Sequence, residues 1–302
     1  MHVKPFSIAF RWRFAALLAA GGAVFLVSLN LAGASRGDVP VRAQTVLGQD
    51  ERTRIGDTTA YPFSAIAFVE LLDAGGKAFG SCTGTFIGPD AVLTAGHCLW
   101  NPGGGRWQAE GYRIVPGKNG DSEPFGSALA ANWWVPDAYA ATGLVEWDWG
   151  VLVLADDAPG NAAGWMQIAI LRDSTLRAAD FNPAIAGYPA DKERGTMWGH
   201  SRAMFELVEA FRLFYDIDTA SGQSGAAIWS LGDGQHAGQV VGIHTQGTAG
   251  GALNSGSRID EELLADLLAG CAAIGCTIDY AIEEAPPGSM PPRAHLPALA
   301  RE

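Results

Sequence analysis

The chain has 302 residues, 48% hydrophobic and 17% charged, which allows a sizeable core and excludes a globally disordered chain. Its formal net charge of −12 excludes a nucleic-acid partner, because phosphate binding needs clustered Lys and Arg. The negative charge is read as a solubility feature.

At the N-terminus, Lys4, Arg11 and Arg13 precede a long apolar run from Phe14 to Ala34, and Ala32-Gly33-Ala34 fits a small-x-small cleavage site before Ser35. Residues 1–34 read as a cleaved export signal. The alternative is a retained signal-anchor, since the run is long enough to cross a bilayer. The protein is expected to be secreted or periplasmic, with membrane contact only if that segment is kept. Export places Cys82, Cys98, Cys271 and Cys276 in an oxidising compartment, where pairing is expected. Four cysteines allow three connectivities, of which Cys82 with Cys98 and Cys271 with Cys276 is the most local.

Short apolar segments separated by turn residues follow in order: 65–72, 81–88, 91–95, 112–117, 149–154, 165–170, 183–189, 212–218, 225–230 and 239–245. This spacing predicts an all-β sandwich or barrel rather than βαβ units. A Gly/Ala/Asp-rich stretch over 155–164 divides it into two β-halves, 46–155 and 156–280. An amphipathic helix is predicted over 260–270, with leucines at 263, 264, 267 and 268. Residues 281–302 are rich in proline without periodicity and read as a disordered tail. The six histidines are scattered and no C-x-x-C or H-E-x-x-H spacing exists, so neither a metal nor a cofactor is expected.

Three stretches carry polar residues that β-packing alone does not request. "LTAGHC" contains His97. "EWDWGVLVL" opens an apolar strand with Asp148, costly to bury unless hydrogen-bonded. "DTASGQSGAA" flanks Ser224 with Gly222 and Gly225, glycines that permit a tight turn aiming N–H groups at an oxyanion. Each is weak alone. Together they supply a base, an orienting carboxylate and a hydroxyl nucleophile in the chain order His, Asp, Ser. The G-x-S-x-G elbow of α/β-hydrolases fits less well, since Ala226 replaces its last glycine and a strand follows Ser224.

These blocks resemble those of the trypsin-like serine proteases, and more closely the bacterial glutamyl endopeptidase branch. The resemblance runs through "VLGQDERTRIGDTTAYPFSAI", "GSCTGTFIGPDAVLTAGHC", "VPGKNG", "AGYPADK", "YDIDTASGQSG" and "GIHTQG", from Val46 to about Ile259. It implies two antiparallel β-barrels with the active site in the cleft between them. His97 would be the base, Asp148 its orienter and Ser224 the nucleophile. The amides of Gly222 and Ser224 would form the oxyanion hole, and a Cys82–Cys98 bridge would pin the histidine loop. Gln223 stands where the animal digestive enzymes carry an aspartate that pairs with a new N-terminus, so activation by that salt bridge is unavailable.

The resemblance also implies a pocket for an acidic side chain, lined by Thr219 and His244, whose hydroxyl and imidazole suit a carboxylate. Asp218 stands where trypsin holds the carboxylate that binds Lys or Arg, so a basic-specific protease is the alternative. An inert protease-fold binding protein is the reading from another class. Residues 35–45 are expected to be a short propeptide, removed by cleavage around Gln44–Val46. In some relatives the freed α-amino group helps bind the acidic side chain. The expected partners are protein or peptide substrates, and the expected state is a monomer.

Overall fold

The computed structural model describes residues 46–232, 234–247 and 251–284. The expected signal, the propeptide and residues 285–302 of the expected tail lie outside them. Among the described residues, no helix is long and apolar enough to cross a membrane.

Strands Ile66–Leu72, Ala78–Phe86, Ala91–Thr94, Gly150–Leu154, Ala128–Trp134 and Gly111–Pro116 lie side by side in that order and close into a barrel. The β-branched and aromatic residues that favour pleated, half-buried surfaces supply its buried positions on both faces, including Ile66, Phe68, Val69, Val92, Ile114 and Val151. Each such burial contributes about 1.5–3 kcal/mol relative to exposure. Trp134 stacks tilted on Trp149, with ring centroids 5.6 Å apart.

The second sheet curls without closing. Its path runs Thr53–Arg54, Trp198–Ser201, Pro183–Gly187, Ala227–Ser230, Val240–Gly247, Asn254–Arg258, Arg212–Tyr215 and Leu207–Val208. The fold is therefore all-β, with one closed barrel and one half-barrel.

Two features differ from the expected division of the chain. Thr53 and Arg54 pair with Gly199 and Trp198, so the first strand joins the second sheet although it precedes the first barrel in sequence. Tyr280–Ile282 pairs in parallel with Ile168–Ile170, and Glu283 accepts from the Arg172 amide at 2.8 Å. Residues 281–284 thus belong to the folded body rather than to a tail.

The late helix runs Glu261–Ile274, longer than its pattern predicts. Asp260 caps it by accepting from the Leu263 amide at 2.8 Å, and Gly275 ends it. Gly270 lies within the helix because it packs on Trp134, where a Cβ would come within 2.6 Å of the indole. Cys271 and Cys276 are disulfide-bonded at its end. One hydrophobic core joins Leu263, Leu264 and Leu267 of this helix to the first barrel and to Ala186, Tyr188, Trp229 and Ile243 of the second sheet.

Candidate active site

His97 sits in the single turn Gly96–Leu99 that leaves strand Ala91–Thr94. Its neighbour Cys98 is disulfide-bonded to Cys82 on the adjacent strand, which ties the turn to the barrel wall. The pairing of Thr94 with Gly150 carries the approach to strand Gly150–Leu154 alongside this turn, and Asp148 lies on that approach. Asp148 is buried, and it holds His97 twice. Its Oδ1 accepts the His97 amide at 2.8 Å and its Oδ2 lies 2.9 Å from Nδ1. These bonds offset the cost of burying the carboxylate. Burial alone would lower the His97 pKa, but the charge and hydrogen bond of Asp148 outweigh it, so the imidazole is held above its ordinary value. Tyr139 packs here too; burial first, and then the Asp148 charge, push its phenol up.

Ser224 is brought to the same place from the second sheet. Its carbonyl accepts the Thr83 amide at 2.9 Å, and the Cys98 sulfur lies 3.9 Å from that oxygen. The Thr83 hydroxyl donates to the Gly222 carbonyl at 2.8 Å and accepts the Tyr188 amide at 3.0 Å. Gly222 and Gly225 have φ of 95° and 87°, which only glycine adopts freely. A Cβ on Gly222 would also come within 2.5 Å of the Tyr188 carbonyl, and one on Gly225 within 2.2 Å of Thr94 Oγ1. The sequence therefore needs both glycines to turn the chain around Ser224.

Reciprocal backbone bonds of 2.8 Å, Gly225 to the His244 carbonyl and His244 to the Ala226 carbonyl, lock strand Val240–Gly247 onto this turn. His244 is fully buried, with its Nδ1 2.6 Å from the Tyr215 hydroxyl. Burial, and next the charge of His97, push its pKa down to about 3, so the ring is neutral. Three buried polar atoms here have no hydrogen-bond partner among the described residues: His244 Nε2, Thr219 Oγ1 and Gln223 Nε2.

Asp218 does not resemble an open binding carboxylate. It is fully buried, its Oδ1 accepts the Leu47 amide at 2.7 Å, and its Oδ2 accepts the Glu51 amide at 2.8 Å. Its own amide donates to His200 Nδ1 at 2.8 Å. Among the described residues, Glu51, His200 and Asp218 form the one group of ligand atoms close enough to share a cation. That donor set is already engaged, because Arg202 pairs with Glu51 and lies against His200 Nε2.

The sequence reading missed Thr83, Tyr139, Tyr215 and Arg52. Thr83 and Tyr215 look like ordinary strand residues, and Tyr139 lies in the short helix Asp137–Thr142. Arg52 stood inside a quoted block without a role.

The Trypsin family profile matches residues 55–259, so the chain belongs to the trypsin family and is a serine endopeptidase. The glutamyl endopeptidase of Bacillus licheniformis is 34% identical over 232 residues, 76% of this chain and 69% of that protein. A solved structure of Glu endopeptidase in complex with MPD covers 75% of this chain and 99% of its own, at 30% identity and a TM-score of 0.66. Within the family the chain is therefore close to glutamyl endopeptidase. The extracellular metalloprotease of Bacillus subtilis is 30% identical over 225 residues, 74% of this chain and 68% of that protein. The protease Anisep of Arthrobacter nicotinovorans shares the fold at 16% identity and a TM-score of 0.57, covering 73% of this chain and 99% of its own.

Proposed function

We propose that the chain is a secreted endopeptidase that cuts after glutamate through Ser224, His97 and Asp148. Ser224 Oγ attacks the peptide carbonyl while His97 takes its proton. Asp148 fixes the ring through Nδ1 and stabilises the imidazolium that forms. The amides of Gly222 and Ser224 receive the oxyanion, each donor supplying on the order of 3 kcal/mol. His97 then returns the proton to the leaving amine, and water repeats the sequence to release the acid.

The observation that carries the acidic specificity is the pair of buried, unpartnered atoms Thr219 Oγ1 and His244 Nε2 beside this turn. Buried polar atoms are rarely left unpaired without a reason. With the Tyr215 hydroxyl donating to Nδ1, the imidazole proton sits on Nε2, and both atoms become donors suited to a carboxylate. The basic-specific alternative loses its support, because the Asp218 oxygens are occupied by the Leu47 and Glu51 amides. Those same bonds hold Leu47 against Asp218, the residue before Thr219. This supports removal of residues 35–45 and participation of a new α-amino group at the pocket.

Digestion of a peptide library by the secreted protein tests the reading. Cuts after Glu are expected, and cuts after Lys or Arg would overturn it. A fluorophosphonate should label the protein and not its Ser224→Ala variant; an unlabelled wild type would favour an inert binding protein. N-terminal sequencing should show a start near Val46, and a start at Ser35 would exclude the propeptide.

A further inference from the structure

The loop from Asp218 to Ser224 carries Thr219, Gly222 and Ser224. One segment from the far end of the chain, Leu47–Arg52, grips it at both ends. At the first end, the Leu47 and Glu51 amides occupy the Asp218 carboxylate. At the second, Arg52 Nη1 donates to Gln223 Oε1 at 3.2 Å, one residue before Ser224. The Arg52 side chain is wholly buried.

Four further bonds aim the Arg52 guanidinium. Its Nε and Nη2 reach Asp50 at 2.9 Å each, and its Nη1 and Nη2 reach Asp191 at 3.1 and 2.5 Å. Lys192 also pairs with Asp50 at 2.8 Å, so two carboxylates meet two cations and the cluster is neutral. A planar guanidinium held by two carboxylates has its remaining donor direction fixed.

Gln223 is held through its oxygen alone, its Nε2 being buried without a partner among the described residues. It is fully buried, and its Oε1 accepts both Arg52 and the Ala220 amide, the latter at 3.0 Å. A reversed amide would set its NH₂ against the guanidinium, so the arginine decides which way the side chain points. Next to Asp191, the Ala190 amide donates to the Ser221 carbonyl at 2.6 Å, so the cluster holds the loop through a second route.

We propose that Arg52 is a positioning residue for catalysis. By holding Gln223 it fixes the Gly222–Ser224 turn, with the oxyanion amides and the Ser224 hydroxyl in working geometry. The inference rests on Ser224 being the nucleophile. The competing role, an anchor for the N-terminal segment alone, needs only Asp50 and Asp191 and gives Gln223 no part.

The test compares mature wild type with Gln223→Met, Arg52→Lys and the double variant. Gln223→Met removes the acceptor and leaves both aspartate pairs intact. The readouts are the fluorophosphonate labelling rate, kcat and KM on a glutamyl peptide, and the unfolding temperature. Gln223→Met should label at least about tenfold more slowly, with the loss in kcat and KM within about twofold, since displacing an oxyanion donor lowers kcat 10²–10³-fold. The double variant should be no slower than the worse single variant, because both changes break one link. If Gln223→Met does not fold, Arg52→Lys carries the same test, because its ammonium reaches an aspartate without a second donor for Gln223. Folded variants labelling within about threefold of wild type, or effects that multiply, would overturn the inference. Failure of the wild type itself to label would instead remove Ser224 as nucleophile.

Discussion

The amide and hydroxyl of Thr83 hold two alternate carbonyls of the Gly222–Ser224 turn: the amide takes that of Ser224 at 2.9 Å and the hydroxyl that of Gly222 at 2.8 Å. A residue of the first barrel thus clamps the loop of the second sheet on both sides of Gln223. Replacing it with valine keeps the shape and removes the hydroxyl, leaving the Gly222 carbonyl and the Tyr188 amide without that partner. Thr83→Val is expected to lose about 1–3 kcal/mol of stability. Urea unfolding measures this, and fluorophosphonate labelling of the folded variant should slow in parallel.

Asp148→Asn preserves packing but offers His97 the wrong partner. The expected loss in kcat is on the order of 10⁴-fold with KM little changed. The pH profile gives a second reading. His97 accepts a proton only when neutral, so kcat/KM rises as pH climbs through its pKa. Asp148 holds that pKa above the ordinary imidazole value, which places the wild-type limb above pH 6.5. Loss of the carboxylate should move the limb to lower pH in the residual activity.

Tyr215→Phe removes the hydroxyl 2.6 Å from His244 Nδ1, which in the proposed pocket donates and leaves the imidazole proton on Nε2. Binding of the glutamate side chain should weaken while proton transfer at His97 is untouched. A KM about tenfold higher on a glutamyl peptide with kcat nearly unchanged is expected, which is about 1.4 kcal/mol of lost binding. Equal effects on glutamyl and alanyl peptides would dissociate Tyr215 from the pocket.

His244 also links stability to pH. Its folded pKa of about 3 lies below its ordinary 6.5, so between those values the unfolded chain binds a proton that the folded chain excludes. Its contribution is fully present above about pH 6.5 and is lost as pH falls toward 3. His244→Gln should make the fall in unfolding free energy between pH 6.5 and 4.5 shallower, by up to about 1.4 kcal/mol per pH unit. Urea titrations at those two pH values test it.

How much of this was legible depended on where the partners lie. His97, Asp148 and Ser224 are polar residues in apolar strands or glycine turns, and that anomaly is visible in one dimension. Strand Asn254–Arg258 was missed because "NSGSR" shows no apolar alternation, although all five residues are buried. Its polar side chains bond to neighbours, Arg258 Nε excepted; Asn254, for instance, donates to the Ile217 carbonyl at 2.9 Å. The leucine pattern predicts a helix only to Gly270; glycine disfavours helices, and the contact with Trp134 overrides that propensity so that the helix runs on to Ile274. Thr83 and Arg52 gave no local sign because Gly222 and Gln223, which they hold, lie more than a hundred residues away.

The strand Thr53–Arg54 has a consequence for how the molecule is put together. Every strand of the closed barrel falls within Ile66–Leu154, so its hydrogen-bond ladders close within that span, although its core is shared with the late helix and the second sheet. The half-barrel needs residue 53 at one edge and residue 282 beside Ile170, nearly the full described length. Long-range closures of this kind come late in folding. His97 leaves the closed barrel and Ser224 belongs to the half-barrel, so the two are brought together only by closures that span nearly the whole described chain.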